Sequence, residues 1–252
     1  MTRDALPHLL GIWLAVGLVS FIALFRVSAP YGRHLRRGWG PTIPRTLGWV
    51  LMELPAAVLP VAFFLSSDRR GDVVSLVFLG IWLAHYLNRS LVFPFRMRGG
   101  QERMPLTIAA MAFFFNLMNG SLQGWYLFSA GPVRDSSWLL DPRFLTGLAL
   151  FAGGYGLNLQ SDAILRRLRA PGDSGYHIPH GGGFRLVSCP NYLGEIVEWG
   201  GWAVLTWSPT GLVFFLWTVA NLAPRAWSHH RWYLEKFPDY PPDRKALIPH
   251  LF

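Results

Sequence analysis

The sequence has very little cysteine, with Cys189 as its single thiol in 252 residues. One thiol cannot form an internal disulfide, and it leaves no partner for a redox pair or a cysteine-based metal cage. Charge is scarce too, because Asp, Glu, Lys and Arg together make up only 15% of the chain, beside 52% hydrophobic residues. This composition is too apolar for an ordinary soluble domain. The two shortages exclude a disulfide scaffold and a zinc ribbon, and they favour one membrane-embedded domain.

Lysine is nearly absent as well, since only Lys236 and Lys245 accompany the arginines among the 23 basic residues. This preference for arginine is typical of a GC-rich bacterial genome and suggests a bacterial source. The formal net charge is +9, but the basic residues fall between apolar segments and are not gathered on a soluble face with interleaved aromatics. We therefore expect no nucleic-acid partner.

Long hydrophobic runs are what the sequence does contain. A helix needs about 17 to 25 apolar residues to cross a bilayer. Five runs of that kind are residues 9–25, 47–65, 73–93, 105–128 and 144–159. The last apolar region, residues 193–226, is interrupted by Ser208-Pro209-Thr210-Gly211, a turn signal that predicts a hairpin of two short helices. The sequence thus predicts an all-α bundle of seven transmembrane helices in a single domain, residues 1–252.

The distribution of basic residues predicts the orientation of this bundle. Eighteen of the 23 lie after the first, third, fifth and seventh spans, and cytoplasmic loops carry such an excess. This pattern puts the N-terminus outside and the C-terminus in the cytoplasm. The first span begins beside acidic Asp4 and lacks a small-residue cleavage site, so we expect a retained helix instead of a signal peptide. The predicted location is the bacterial inner membrane, or the endoplasmic reticulum in a eukaryote.

Glu53 lies in the middle of the second span, where an ionised side chain costs about 2.5 to 3.5 kcal/mol on insertion scales. Such a residue is a functional candidate by default. Tyr86, in the third span, is predicted at a similar depth and within reach of Glu53. The alternatives are a protonated glutamate that only bridges two helices, and a tyrosine that only anchors the membrane interface.

Polar residues gather again toward the end of the chain. Residues four apart share one helix face. Such pairs are Asn158 with Asp162, Asn191 with Glu195, Arg225 with His229, and His229 with Tyr233. The neighbouring histidines His229 and His230 point in different directions, so we expect no metal site. No glycine-rich nucleotide loop follows a strand, and a bound nucleotide must therefore be held in another way.

These segments resemble the steroid 5α-reductase (3-oxo-5α-steroid 4-dehydrogenase) family. The resemblance is carried by residues 182–199, 225–234 and 239–249. It extends to Tyr31-Gly32-Arg33-His34, Glu53-Leu54-Pro55, His85-Tyr86 with Arg89, and Asn119-Gly120 with Leu122-Gln123-Gly124. It covers most of the chain after the first span.

The resemblance implies a seven-helix, monomeric membrane enzyme that reduces the C4-C5 double bond of a 3-oxo-Δ4 steroid with NADPH. It implies that Glu53 and Tyr86 hold the substrate ketone, while Trp49, Phe115 and Tyr31 line the steroid cavity. The implied cofactor contacts are Asn158, Asp162, Arg169, Tyr176, Asn191, Glu195, Arg225, His229 and Tyr233. Residues 1–130 would serve mainly the substrate and residues 144–252 mainly NADPH.

Two positions depart from the family pattern. Met52 stands where the vertebrate enzymes have glutamine, which bears on the hydrogen bonds around the ketone. His177 stands where they have arginine, which bears on one contact to a cofactor phosphate.

The chemistry that this assignment requires agrees with the residues. Hydride addition to the β-carbon of an enone moves negative charge onto the ketone oxygen, so donors must already be directed at that oxygen in a water-poor site. Tyr86 and a protonated Glu53 are such donors, and the cofactor supplies the hydride. Arg169 and Arg225 suit phosphate recognition and favour NADPH over NADH.

Other readings stay open at this point. A membrane methyltransferase acting on prenylated cysteine has a related C-terminal pattern and would use S-adenosylmethionine. A reductase of enoyl-thioesters or polyprenols would keep the same cofactor residues. A lipid or sterol carrier without catalysis would use the ionisable residues only to join helices.

Overall fold

The computed structural model describes residues 3–98, 103–169, 173 and 175–252. Helices make up most of the described chain, as the apolar runs predicted. The chain divides into two compact units. The central unit is Pro30–Leu145, and the terminal unit is Met1–Ala29 with Thr146–Phe252.

The central unit is built on helices that follow the predicted apolar runs closely. They are α2 (Arg45–Leu65), α3 (Val73–Leu87), α4 (Phe93–Arg96) and α5 (Leu106–Trp125). A wide π-helical turn, Asn88–Val92, joins α3 to α4, and a second one, Tyr126–Ala130, extends α5. Asp72 begins α3 by accepting hydrogen bonds from the backbone N–H groups of Val74 and Ser75, which satisfies donors that an uncapped helix start leaves open.

A small antiparallel sheet in the central unit corrects the all-α prediction. Strand β1 (Thr42–Pro44) pairs with β2 (Arg103–Pro105). Each strand has three residues and ends in a proline that immediately precedes a long helix. Segments this short carry no alternating pattern, so periodicity could not reveal them. The sheet ties the starts of α2 and α5 together.

Three helical stretches of the described residues have the length and apolar composition needed to cross a membrane. They are Leu6–Arg26, Arg45–Leu65 and Val73–Arg96. They correspond to the first three predicted spans. The other four spans, and the orientation of the bundle, stay predictions.

The terminal unit contains the four remaining long helices. They are α1 (Leu6–Arg26), α6 (Pro142–Arg167), α7 (Pro190–Thr206) and α8 (Pro209–Lys236). The unit boundary falls in the first turn of α6. In α1, the backbone carbonyl of Trp13 accepts a hydrogen bond of 3.0 Å from the indole of Trp217 in α8, which joins the first and last helices of this unit.

The predicted break between the last two helices is present, but its details differ. The left-handed residue is Trp207, with φ of 44°, and Gly211 lies inside α8. Ser208 caps α8 by accepting the N–H of Gly211 at 3.0 Å. In addition, α8 continues ten residues beyond the predicted end at residue 226, because hydropathy marks only the apolar part of a helix whose last turns are polar.

Glycines allow α6 and α7 to approach more closely than other residues would permit. A Cβ atom at Gly147 would lie 2.7 Å from the carbonyl oxygen of Gly201, and one at Gly194 would lie 2.7 Å from the backbone nitrogen of Asn158. Such separations are too short for a real side chain. The contact brings the polar residues of α6 against those of α7.

Candidate active site

Pro60 determines how α3 packs on α2 in the central unit. Proline has no N–H, so it cannot bond the carbonyl of Ala56 four residues earlier. The indole of Trp82 in α3 donates to that carbonyl at 2.7 Å. Trp82 is almost fully buried, with 1% exposure, and a buried carbonyl without a partner is costly. The bond therefore fixes one register between α2 and α3.

A second contact fixes the same register at the other end. The guanidinium of Arg89 lies 4.8 Å from the ring centre of Trp49 and 4.5 Å from that of Phe93, within the range of cation-π attraction. Trp49 and Phe93 also meet edge to face at 5.2 Å. Because Arg89 follows the last turn of α3, this contact lies at the start of α2.

Glu53 and Tyr86 lie between these two contacts. Along α2 the order is Trp49, Glu53 and Ala56, while along the antiparallel α3 the partners run Arg89, Tyr86 and Trp82. Neighbours three or four residues apart share a helix face. The two flanking contacts therefore bring Glu53 and Tyr86 to one level of the helix pair. Tyr86 is buried and its ring packs 4.7 Å from that of Trp82.

An amide from α5 contacts Glu53. Asn116 Nδ2 donates to Glu53 Oε2 at 3.2 Å and to the backbone oxygen of Met52 at 2.7 Å. Asn116 is buried, whereas Glu53 is half-buried. Phe115, expected to line the steroid cavity, immediately precedes Asn116 and is also half-buried.

The remaining substrate-side residues have less distinctive surroundings. The side chain of Met52 packs in an apolar cluster with Met104 and Ala109, so the departure at position 52 removes an amide from this place. Tyr31 is half-buried and precedes a short 3-10 turn, Gly32–His34.

In the terminal unit, Asn158 connects α6 to α7. Its Nδ2 donates to the backbone oxygen of Asn191 at 3.0 Å and to Glu195 Oε2 at 3.5 Å. Asn158 is 2% exposed, and its Oδ1 has no hydrogen-bond partner among the described residues. Asp162 is also buried, one turn further along α6. The structure thus brings Asn158 to Glu195 and to the backbone of Asn191, whose side chain takes no part in these two bonds.

Arg225 and His229 of α8 meet at a residue of α7. Arg225 Nη2 donates to the hydroxyl oxygen of Tyr192 at 3.0 Å, and that hydroxyl is 3.0 Å from His229 Nε2. The ring of Tyr192 also lies against both side chains, 5.2 Å from the guanidinium carbon and 5.7 Å from the imidazole centre. This arrangement orients a cation and an imidazole by one shared phenol.

Arg169 and Tyr176 lie together near the end of α6. The guanidinium carbon of Arg169 is 4.7 Å from the ring centre of Tyr176, and its Nε donates to the backbone oxygen of Gly175 at 3.0 Å. Tyr176 in turn packs edge to face against Trp232 of α8 at 5.0 Å. The stack and the hydrogen bond together restrict the orientation of the Arg169 guanidinium.

His177, the second departure from the family pattern, forms an ion pair with Asp173. Its Nε2 lies 2.7 Å from Asp173 Oδ2. The hydrogen bond from His177, followed by that from the N–H of Gly175, lowers the pKa of Asp173 below its ordinary value. The imidazole is therefore held by a carboxylate at the position where the resemblance implies an arginine.

Tyr233 of α8 is buried and stacks on Tyr240. Its ring lies 5.0 Å from that of Tyr240 and nearly parallel to it. Tyr240 donates to Ser188 Oγ at 2.7 Å, and Ser188 Oγ lies 2.7 Å from His230 Nδ1. The serine oxygen accepts from Tyr240, and the tautomer of His230 decides which partner donates in the second bond.

Comparison with known proteins gives the same family as the sequence did. The family model described as 3-oxo-5-alpha-steroid 4-dehydrogenase matches residues 102–252. A steroid 5-alpha-reductase of Gossypium hirsutum is 46% identical over 241 residues, which cover 94% of this chain and 93% of the relative. A 3-oxo-5-alpha-steroid 4-dehydrogenase 1 of Bos taurus is 44% identical over 252 residues, covering 98% of this chain and 96% of the relative.

The chain belongs to the 3-oxo-5-alpha-steroid 4-dehydrogenase family. The expectation from the sequence is confirmed, and the chain is an oxidoreductase of this family. Similarity extends to a human relative, 3-oxo-5-alpha-steroid 4-dehydrogenase 1, which is 43% identical over 240 residues that cover 94% of this chain and 92% of the relative. The suggested bacterial source stays a prediction.

Sequence reasoning missed two residues of these clusters in this steroid dehydrogenase family member. Tyr192 lies beside the predicted Asn191 and three residues before Glu195. Because residues three apart also share a helix face, this spacing could have identified it. Asn116 is 63 positions from Glu53, and nothing in the local pattern connects the two. Among the described residues, no group of three or more His, Cys, Asp or Glu side chains is arranged for a metal ion.

Proposed function

We propose that this family member reduces the C4-C5 double bond of 3-oxo-Δ4 steroids with NADPH, with Glu53 and Tyr86 holding the C3 ketone. The observation that supports the proposal is the pair of contacts Trp82–Ala56 and Arg89–Trp49, because Glu53 and Tyr86 lie between them along α2 and α3. The names of the relatives, which describe steroid reduction, support the substrate class.

The residues of the terminal unit fit a dinucleotide. Asn158 offers a buried oxygen that has no partner among the described residues, which suits the N–H of a carboxamide. Arg225 and His229, oriented by Tyr192, suit phosphate or ribose oxygens. Asn191, Glu195, Asp162 and the stacked Arg169–Tyr176 pair would complete the set, with Tyr233 behind it. When bound, NADPH supplies the hydride for C5.

The residues of the central unit would act on the ketone. Tyr86 and a protonated Glu53 each offer an O–H donor, and negative charge develops on the ketone oxygen as the β-carbon accepts hydride. Trp49, Phe115 and Tyr31 would form apolar walls that exclude water and orient the steroid. Exclusion of water strengthens both hydrogen bonds, since the local dielectric falls.

The proposal includes a membrane setting. The enzyme would have seven transmembrane helices, with the N-terminus outside and the C-terminus in the cytoplasm. Three helical stretches of suitable length and composition support multiple spans, and the basic residues between the apolar runs support the orientation. Residues 1–130 would contribute mainly to the steroid site and residues 144–252 mainly to the NADPH site.

The test is an assay of the purified protein with NADPH and a panel of lipids, with products analysed by mass. The panel contains a 3-oxo-Δ4 steroid, an enoyl-thioester, a polyprenol and the saturated steroid as a control. We expect steroid-dependent oxidation of NADPH and a steroid product that has gained two hydrogen atoms. Reduction of only the thioester or polyprenol would contradict the steroid assignment. Methyl transfer from S-adenosylmethionine, or steroid binding without NADPH oxidation, would contradict reductase chemistry itself.

A further inference from the structure

Asn116 is placed to control the carboxyl group of Glu53. Its Nδ2 bridges Glu53 Oε2, at 3.2 Å, and the backbone oxygen of Met52, at 2.7 Å. The side chain is 6% exposed, so its rotation is restricted by packing. One amide nitrogen thus joins the backbone of α2 and the side chain of Glu53 on the same helix.

The backbone of α5 is held at a fixed distance from α2, which makes this contact a stable one. A Cβ atom at Gly120 would lie 3.1 Å from the carbonyl oxygen of Pro55, and one at Gly124 would lie 3.0 Å from the Cα of Pro60. Side chains at these two glycines would push the helices apart. Asn116 is one turn before Gly120 on the same helix and is therefore anchored at the same close approach.

The direction of the hydrogen bond has a chemical consequence. An amide N–H can only donate, and a protonated carboxyl has one carbonyl oxygen that accepts and one hydroxyl that donates. Donation from Asn116 to Oε2 favours Oε2 as the carbonyl oxygen of the neutral acid, because the carbonyl oxygen is the stronger acceptor. The acidic proton is then favoured on Oε1, the oxygen that does not accept from Asn116.

We propose that Asn116 is a positioning residue for Glu53, which it holds so that Oε1 carries the proton directed at the substrate ketone. This inference rests on the proposed function. The side chain of Met52 is apolar and packs with Met104 and Ala109, so at that position only the backbone oxygen takes part, as the anchor for the amide. The orientation of the catalytic carboxyl comes from α5.

A double-mutant cycle on the full-length protein tests this role. Replacing Asn116 by leucine removes the donor at similar volume, and we expect about a tenfold loss of kcat/KM for the steroid, the scale of one hydrogen bond, with an unchanged Kd for NADPH. In the Glu53→Met background, Asn116→Leu should cost less than about twofold, because the group through which it acts is gone.

The matched control is Asn119→Leu, three residues along α5. Asn119 is 2% exposed and its Nδ2 has no hydrogen-bond partner among the described residues. Asn119→Leu should change kcat/KM by the same factor in the wild-type and Glu53→Met backgrounds, because Asn119 does not act through Glu53. Equal losses from Asn116→Leu in both backgrounds, or no loss in the wild-type background, would overturn the positioning role. If Asn116→Leu does not yield folded protein, Asn116→Ala takes its place in the same cycle.

An infrared measurement provides a readout that does not depend on turnover. The carbonyl band of protonated Glu53 is identified by its loss in Glu53→Met, and removal of a donor from the carbonyl oxygen should shift this band to higher wavenumber in Asn116→Leu. An unshifted band would overturn the inference. A wild-type protein that reduces no 3-oxo-Δ4 steroid, or a Glu53→Met variant that turns over normally, would instead contradict the proposed function, so the two failures are distinguishable.

Discussion

Gly154 of α6 and Gly194 of α7 lie face to face, such that a Cβ atom at Gly154 would be 2.5 Å from the carbonyl oxygen of Gly194. One turn along α6, Asn158 reaches the backbone oxygen of Asn191 and the carboxylate of Glu195. The bonds of Asn158 therefore depend on a backbone distance that only glycine permits. This dependence can be tested directly.

The change Gly154→Ala should destabilise the protein, because the new methyl group cannot fit unless α6 and α7 separate. We expect a loss of about 1 to 3 kcal/mol and a weaker affinity for NADPH, measured by thermal unfolding and by cofactor fluorescence. Gly153→Ala is the matched control, since a Cβ there meets nothing within 4 Å, and it should leave stability unchanged or raise it slightly. Equal effects of the two changes would contradict the close-packing argument.

Tyr86→Phe and Glu53→Gln should each lower kcat for steroid reduction while NADPH still binds. The first removes a hydroxyl donor and the second replaces an acidic O–H by a weaker amide donor. Loss of one donor to a developing oxyanion typically costs about 2.7 to 4 kcal/mol of transition-state stabilisation, which steady-state kinetics would detect. Tyr126→Phe, in the wide turn after α5, is the control. Unchanged rates in both site variants would remove the catalytic assignment.

Tyr192→Phe should weaken NADPH binding while the aromatic packing is kept. Phenylalanine retains the ring beside Arg225 and His229 but lacks the oxygen that accepts from Arg225, so we expect a loss of about 1 kcal/mol. Arg225→Ala removes the cation itself and should cost about 1.5 to 3 kcal/mol. Fluorescence titration with NADPH measures both.

The control for this pair of variants is Arg231→Ala. This substitution removes the same charge from the same helix as Arg225→Ala does. Arg231, however, pairs with Glu235 at the surface, where both side chains are more than 60% exposed. Its Kd for NADPH should remain within about twofold of wild type, since exposed ion pairs contribute little. If Arg231→Ala weakened binding as much as Arg225→Ala, the effect would reflect net charge and not the Tyr192 cluster.

Stability should fall as the pH decreases below about 6.5 because of His230, which lies beyond the predicted last span. Burial, followed by repulsion from Lys245 and Arg244, lowers its pKa from the ordinary value of 6.5. The stabilising effect of neutral His230 is therefore complete above the unfolded pKa and is lost as pH falls toward the lower folded pKa.

Melting temperatures of wild type and His230→Asn between pH 5 and pH 8 test this dependence. Asparagine places an acceptor oxygen near the position of Nδ1 but does not titrate. The melting temperature of the variant should therefore fall less than that of wild type as the pH decreases. Identical pH profiles for the two proteins would assign the decline to other groups.

Sequence reasoning found the features that depend on local pattern. Long helices such as α2 were visible because bilayer length and apolarity are encoded in consecutive residues, and Glu53 was conspicuous because a carboxyl group is costly there. The polar last turns of α8 and the three-residue strands β1 and β2 carry no such signal. Contacts made across long separations, such as Asn116 with Glu53, depend on how helices pack, which composition and periodicity do not specify. The family resemblance implied roles for individual residues, but it did not indicate which contacts those residues make in the fold.

The bond between Trp82 and the carbonyl of Ala56 has a consequence for how the helices can move. Sliding α3 by one turn, about 5.4 Å, would strand a buried polar group and cost about 1 to 3 kcal/mol. A lipid-exposed helix pair held only by apolar side chains has no comparable barrier to slippage. Pro60, which removes one backbone hydrogen bond from α2, thus creates the acceptor that selects a single register for α3, and we expect the two helices to move together.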